Sequence, residues 1–263
     1  MLSVSSAQLD AWIALFFFPL ARIMALMTLA PVFSNASLPR RTRLIIGLVL
    51  TYALSPVLPP MPAVPAGSWV GIAILGEQIL IGLIMGMTLR LVFAAIDLAG
   101  SLIGLQMGLS FAVFYDPQTR GQTPVIANFI TLLATLIFLA MDGHLVIIAA
   151  LAESFNLLPI SAQPFSIKGI SSLLSWAGVL FSSGLLLSLP MVAALLITNL
   201  SLGVLTRIAP TLNLFAVGFP VTLAGGMMVL TLSLPYMESA LERLYGQGFS
   251  ALQSLLKVMA AMH

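Results

Sequence analysis

The chain has 263 residues, of which 60% are hydrophobic and only 7% are charged. A soluble domain carries about 25% charged residues. This chain has only ten basic and eight acidic side chains, too few for a surface that faces water throughout. Its outer surface must therefore contact lipid or other proteins. The net charge of +2 is too small and too scattered to indicate a nucleic-acid partner, and the absence of cysteine excludes disulfides and thiolate metal sites.

Apolar runs follow one another along the chain, and a helix needs about 20 apolar residues to span the hydrocarbon core of a bilayer. The sequence predicts four runs of spanning length: Ala11–Phe33, Val70–Ile96, Leu173–Leu200 and Leu212–Leu234. Shorter apolar runs are Leu44–Leu58, Pro124–Met141 and Leu145–Ile160. The C-terminal segment 236–263 has the pattern of an amphipathic helix. Strand-like alternation is absent from the sequence, so an all-α membrane protein is predicted.

Loops are marked by proline and by one basic cluster. The proline-rich segment 55–65 cannot lie inside a helix. Arg40, Arg41 and Arg43 form the basic cluster, and the positive-inside rule predicts that their loop is cytoplasmic. The N-terminus would then lie outside.

Three charged residues, Arg22, Glu77 and Arg90, lie inside the long apolar runs. A charge at the centre of a bilayer costs roughly 2.5–3.5 kcal/mol even on the mildest insertion scale. Glu77 and Arg90 are about 20 Å apart along a straight helix, so they cannot pair with each other. We therefore predict that each of the three is a buried charge paired with another helix or another subunit. A proton relay is the alternative, and the wide spacing favours structural pairing.

Glycines recur at four-residue spacing in the same region. Gly82 and Gly86 form one pair, and Gly100, Gly104 and Gly108 form a second row. Small residues at this spacing let two helix backbones approach closely. Close helix packing is predicted at these positions.

The sequence shows no enzyme motif. Its two histidines, His144 and His263, have no carboxylate or second histidine at ligand spacing, and nucleotide-binding and hydrolase signatures are absent. We predict no catalytic residues, no metal site and no cofactor.

The segment Gly104–Pro124 differs from its neighbours. It carries Met107, Phe111, Phe114 and Tyr115 before a polar turn, with glycines at both ends. Bulky apolar side chains on such a loop either pack on their own helices or form a constriction, because apolar rings close pores by excluding water. The residues alone leave both readings open.

Four stretches carry a family resemblance, and they occur in order over nearly the whole chain. They are PLARIMALMTLAPVFSNASLPRRTRLIIGL (19–48), GLQMGLSFAVFYDP (104–117), DGHLVIIAALAESFNLLPI (142–160) and NLSLGVLTRIAPTLNLFAVGFP (199–220). With their glycines, prolines and arginines these stretches resemble the FliR family of type III secretion export-gate proteins. The C-terminal tail contributes little to the resemblance.

The resemblance implies a fold and a set of partners. The chain would be one domain, 1–263, of membrane-associated helical hairpins, with a FliP-like part at 1–165 joined to a FliQ-like hairpin and C-terminal helix at 166–263. It would be one subunit of a helical export-gate complex with FliP and FliQ, in contact with FlhB and FlhA. The expected location is the bacterial inner membrane, in the flagellar basal body, and the expected transient substrates are exported flagellar proteins.

The resemblance also implies a loop that plugs the pore at rest. Carried over by motif, this loop is Met107–Gln122, with Phe111 and Phe114 as sealing residues and with Met107, Gly108 and Tyr115 as further members. Some relatives are expected to have a smaller apolar residue in place of Tyr115. Three alternatives remain at this stage: the corresponding component of a virulence-type injectisome, a small-solute membrane transporter, and a purely structural membrane subunit.

Overall fold

The structure is a computed structural model that describes residues 6–35, 37–60, 62, 64–65, 67–109, 124–161, 168–209 and 214–261. These residues form seven α-helices and one short 3-10 helix, without a β-strand among them. The α-helices are α1 (Ser6–Leu29), α2 (Arg40–Leu54), α3 (Trp69–Gln106), α4 (Val125–Ala140), α5 (Gly143–Leu157), α6 (Lys168–Ile208) and α7 (Leu214–Ala260), and the 3-10 helix is Ser55–Val57. The prediction of an all-α chain is confirmed.

Three helices are long and apolar enough to cross a membrane within the described part of the chain: α3, α6 and α7. They contain 38, 41 and 47 residues. At 1.5 Å per residue α7 is about 70 Å long, whereas the hydrocarbon core is about 30 Å thick. These helices therefore extend well beyond the length that one crossing requires.

Helix α7 differs from the sequence prediction. A span ending at Leu234 and a separate amphipathic helix from Tyr236 were expected, but the structure has one helix that continues through Pro235. The apolar face predicted for the tail is buried, at Met237, Leu241, Leu244, Leu252, Leu255 and Met259. Packing of this face outweighs the cost of a proline within the helix.

Helices α4 and α5 are bent by 66° relative to each other. The break falls at the Asp142–Gly143 turn that divides the two apolar runs in the sequence. Asp142 has a φ of 56°, a left-handed conformation that a short polar side chain tolerates better than most residues do. The helix pair is therefore one broken apolar span or a re-entrant hairpin.

The chain forms two compact units. Unit 1 comprises Met1–Leu91, Leu139–Ala177 and Gln247–His263, and unit 2 comprises Val92–Phe138 and Gly178–Gly246. The core of unit 1 contains the buried side chains of Phe18, Leu26, Ile81, Met85 and Phe155. The predicted subdivision into 1–165 and 166–263 depends on the family resemblance and stays a prediction.

Unit 2 has an aromatic cluster in its core. The ring of Tyr245 on α7 lies 5.8 Å from that of Phe93 and 5.2 Å from that of Phe138, measured between centroids. The phenol of Tyr245 donates a 2.6 Å hydrogen bond to the carbonyl oxygen of Ala134 on α4. The cluster thus joins α3, α4 and α7.

Candidate functional site

Helix α3 ends where the predicted plug loop begins. Gly108 has a φ of 79°, a conformation that glycine adopts without a steric penalty. The amide of Gly108 donates to the carbonyl of Leu105 at 3.1 Å, and the amide of Leu109 donates to that of Gly104 at 3.2 Å. This hydrogen-bond pattern is a Schellman motif, so α3 ends at a defined residue.

Two further hydrogen bonds reach this helix end from α6 and α7. The Asn199 amide nitrogen Nδ2 donates to the carbonyl of Gln106 at 3.3 Å. The Thr222 hydroxyl lies 3.3 Å from the carbonyl of Met107 and 3.0 Å from that of Phe219 in its own helix, so its single hydrogen is shared between the two. The last backbone acceptors of α3 are therefore bound by side chains of two other helices.

Met107 directly follows the last residue of α3. Its side chain is 0% exposed and fills a notch on α7 where residue 226 is glycine. A Cβ atom at Gly226 would lie 2.5 Å from Met107 Cγ and 2.7 Å from its Cε. Any larger residue at position 226 would displace the methionine, so the two positions form a matched pair.

The predicted sealing residues Phe111, Phe114 and Tyr115 lie outside the described residues. Of the predicted loop Met107–Gln122, the structure describes Met107, Gly108 and Leu109. The sealing role of the loop remains a proposal.

Arg22 occupies a second site, in the core of unit 1. It is 0% exposed, and its Nε donates to Oε1 of Gln78 on α3 at 2.8 Å. Its Nη1 donates to the carbonyl and the hydroxyl of Ser154 at 2.9 and 3.1 Å, and its Nη2 donates to the carbonyl of Leu158 at 2.8 Å. The guanidinium carbon also lies 4.3 Å from the centroid of the Phe155 ring.

The partners of Arg22 explain how a cation can be buried here. Ser154 and Leu158 supply carbonyls at the end of α5, where the helix dipole favours positive charge. The half-buried Glu77 adds a favourable charge interaction. The guanidinium thereby links α1, α3 and α5 through hydrogen bonds.

Arg90 is in a different environment from Arg22. Its side chain is exposed in this chain, so the burial predicted for it is not provided by these helices. Because the side chain is exposed on α3, its guanidinium is free to contact a lipid head group, water or another subunit. Pairing of Arg90 with another subunit stays a prediction.

The predicted glycines lie at helix contacts. A Cβ atom added to Gly82 would collide with the carbonyl oxygen of Arg22, and one added to Gly86 would lie 2.8 Å from the carbonyl oxygen of Leu26. Helix α3 therefore packs backbone to backbone against α1. Further along α3, a Cβ on Gly100 would collide with the Cα of Ala127 on α4.

Gly104 faces a looser contact, since a Cβ there would lie 3.6 Å from the side chain of Ile126. A close contact that the sequence analysis missed is at Gly184 on α6, where a Cβ would lie 2.6 Å from the carbonyl oxygen of Ala95. Gly184 and the buried Ser188 are four residues apart, which is the small-residue spacing that could have identified this contact.

The polar side chains that join the helices were not predicted from the sequence. Gln78, Ser154, Asn199 and Thr222 each make a hydrogen bond to a helix other than their own. Asn199 had a recognisable signal, because it is the one amide side chain in the apolar run 173–200. An amide in such a run needs an internal partner.

The sequence is similar to those of known proteins. The sequence matches the family described as bacterial export proteins, family 1, over residues 13–248. The flagellar biosynthetic protein FliR of Pectobacterium carotovorum subsp. carotovorum is 42% identical over 261 residues, which are 99% of this chain and 100% of the relative. This chain belongs to the FliR family. FliR of Escherichia coli strain K12 is 40% identical over 256 residues, covering 97% of this chain and 98% of that protein.

The FliR family match includes relatives of lower identity. FliR of Bacillus subtilis strain 168 is 26% identical over 242 residues, which are 90% of this chain and 93% of the relative. The matched family range includes α3, α6 and most of α7. The chain is therefore a flagellar export component with membrane-spanning-capable helices.

Proposed function

We propose that this chain is a core subunit of the flagellar type III protein export gate. It forms a pore with FliP and FliQ in the bacterial inner membrane, at the flagellar basal body, and associates with FlhB and FlhA. Unfolded flagellar proteins pass through this pore. The loop Met107–Gln122 seals it between substrates.

The observation that carries this proposal is the match over nearly the whole chain to relatives named flagellar biosynthetic protein FliR. Those relatives carry the flagellar rather than the injectisome name, which favours the flagellar assignment. The exposed apolar surface supports the presence of partner subunits. Helix α6 exposes Leu186, Ile197 and Ile208 among other apolar side chains, and it is about twice as long as the hydrocarbon core is thick.

The sealing step has a physical basis. A pore wide enough for a polypeptide must not conduct ions when it is empty. A polar loop would hydrate and conduct, whereas large apolar groups exclude water. Phe111 and Phe114 provide this bulk on a loop whose first residues are held by α6 and α7.

The test is the double variant Phe111→Ala with Phe114→Ala, measured in cells that contain the assembled complex. We expect a rise in membrane conductance to small ions while co-purification with FliP and FliQ persists. Phe181→Ala is the control, because it removes a phenylalanine ring that is exposed on α6, outside the loop. An assembled double variant that is as tight as wild type would show that the seal lies elsewhere.

A further inference from the structure

We infer that Asn199, Thr222 and Gly226 are positioning residues that hold the C-terminus of α3 as a fixed anchor. The loop that follows Leu109 would then depart from a point that stays in place both at rest and during export. This inference rests on the proposed function. It adds three residues of α6 and α7 to the sealing machinery.

The hydrogen bonds at the end of α3 are complete. A helix leaves its last four carbonyls without intrahelical partners. Those of Gly104 and Leu105 accept from the amides of Leu109 and Gly108, and those of Gln106 and Met107 accept from side chains of α6 and α7. All four acceptors are therefore used, two locally and two by other helices.

The end of α3 differs from an ordinary helix end because two of its hydrogen-bond donors come from other helices. The last turn of a helix commonly frays. Here Asn199 and Thr222 bind the last carbonyls of α3 from two different helices. The Met107 side chain is also packed into the notch at Gly226. Displacing this helix end would break both hydrogen bonds and expose a side chain that is now fully buried.

Neighbouring glycines on α7 show that the notch is specific. A Cβ on Gly225 would have only the Thr198 Cγ2 atom within 4 Å, at 4.0 Å. A Cβ on Gly226 would meet three atoms of Met107 within 3 Å. Substitution by alanine at these two adjacent positions therefore separates an effect on the anchor from a general effect of losing glycine.

The first experiment measures the resting ion leak of assembled complexes. Asn199→Leu keeps a branched side chain but removes the donor to Gln106, and a hydrogen bond of this kind changes an equilibrium by about fivefold. We expect the leak to rise by about that factor, and Gly226→Ala to raise it as well. The controls are Asn128→Leu, at an exposed amide on α4, and Gly225→Ala.

A second experiment tests whether the anchor stays in place. The chain has no cysteine, so the double variant Met107→Cys with Gly226→Cys contains one possible disulfide. The sulfur at position 107 takes the place of Met107 Cγ, which lies 2.5 Å from a Cβ atom at position 226, so the two sulfurs are within reach of each other. We expect secretion of flagellar subunits by this variant to be the same in the oxidised and the reduced state, because the residues joined do not separate.

The outcomes are distinct. Secretion that stops on oxidation and returns on reduction would overturn the fixed anchor, since the helix end would then have to move. Asn199→Leu and Gly226→Ala complexes that assemble and stay as tight as their controls would overturn it as well. Either result leaves the sealing role of the loop intact, whereas a tight Phe111→Ala, Phe114→Ala complex would overturn the sealing step of the proposed function.

Discussion

The guanidinium Nη1 of Arg22 donates to both oxygens of Ser154, to the carbonyl at 2.9 Å and to the hydroxyl at 3.1 Å. The residues are 132 positions apart in the chain, on α1 and α5. A buried cation that binds backbone acceptors of a distant helix end fixes the register of the two helices. The stability of unit 1 should therefore depend on the shape of this side chain as well as on its charge.

Arg22→Lys should destabilise the chain by about 1–3 kcal/mol, the usual cost of leaving buried acceptors without a donor. A lysine keeps the charge, but its single ammonium group cannot reproduce the planar set of donors that reaches Gln78, Ser154 and Leu158. The measurement is the amount of chain recovered in the assembled complex and its thermal stability in detergent.

Arg207→Lys is the matched control, because Arg207 is exposed in the last turn of α6. We expect it to resemble wild type. Equal stability of both lysine variants would show that the hydrogen bonds of Arg22 contribute little.

Gly82→Ala should weaken the packing of α3 against α1. The added methyl group would collide with the carbonyl oxygen of Arg22 and lie 2.8 Å from the Cβ of Ala25, so the helices must separate. Overpacking of this kind costs typically about 1–3 kcal/mol. The midpoint of thermal unfolding in detergent provides the measurement.

Gly76→Ala on the same helix is the control, because nothing lies within 4 Å of a Cβ at that position. Alanine is the better helix former by about 1 kcal/mol, so this variant should be neutral or more stable than wild type. A loss of stability in Gly76→Ala equal to that in Gly82→Ala would refute close packing as the cause.

Tyr245→Phe should destabilise unit 2 by about 1 kcal/mol, because it removes the hydrogen bond to the carbonyl of Ala134 and keeps the ring in place. Tyr236→Phe is the control, since the side chain of Tyr236 is exposed. Hydrogen exchange of the α4 amides would report the difference. Identical exchange in the two variants would mean that the ring contacts alone hold α4.

The chain should accumulate poorly when it is expressed alone. Its exposed apolar surface needs lipid or protein cover, and the extra length of α6 and α7 points to protein. Co-expression with FliP and FliQ should raise the yield of monodisperse material and give co-purification in a fixed ratio. A stable monomer obtained in equal yield from both expressions would contradict this prediction.

Apolar periodicity and run length were sufficient to predict the helical class, and the turn chemistry of Asp142 and Gly143 located the break between α4 and α5. The four-residue spacing of Gly82 and Gly86 identified the face of α3 that lies against α1. These features are local, because they depend on residues within a few turns of one another. Local patterns did not identify the continuous α7, because burial of the face around Met237 and Leu241 overrides the proline between its two halves.

The sequence by itself determined that burying the charge of Arg22 or Arg90 in an apolar environment would be costly. It gave no reason to distinguish the two residues. Only the tertiary structure decided that Arg22 is enclosed by acceptors from α3 and α5 while Arg90 faces outward. It likewise decided that Asn199 and Thr222 reach the end of α3, across 93 and 115 positions of chain. The reason is that burial and hydrogen-bond partnership are set by which helices pack together, and the residues that make such a contact are far apart in the sequence.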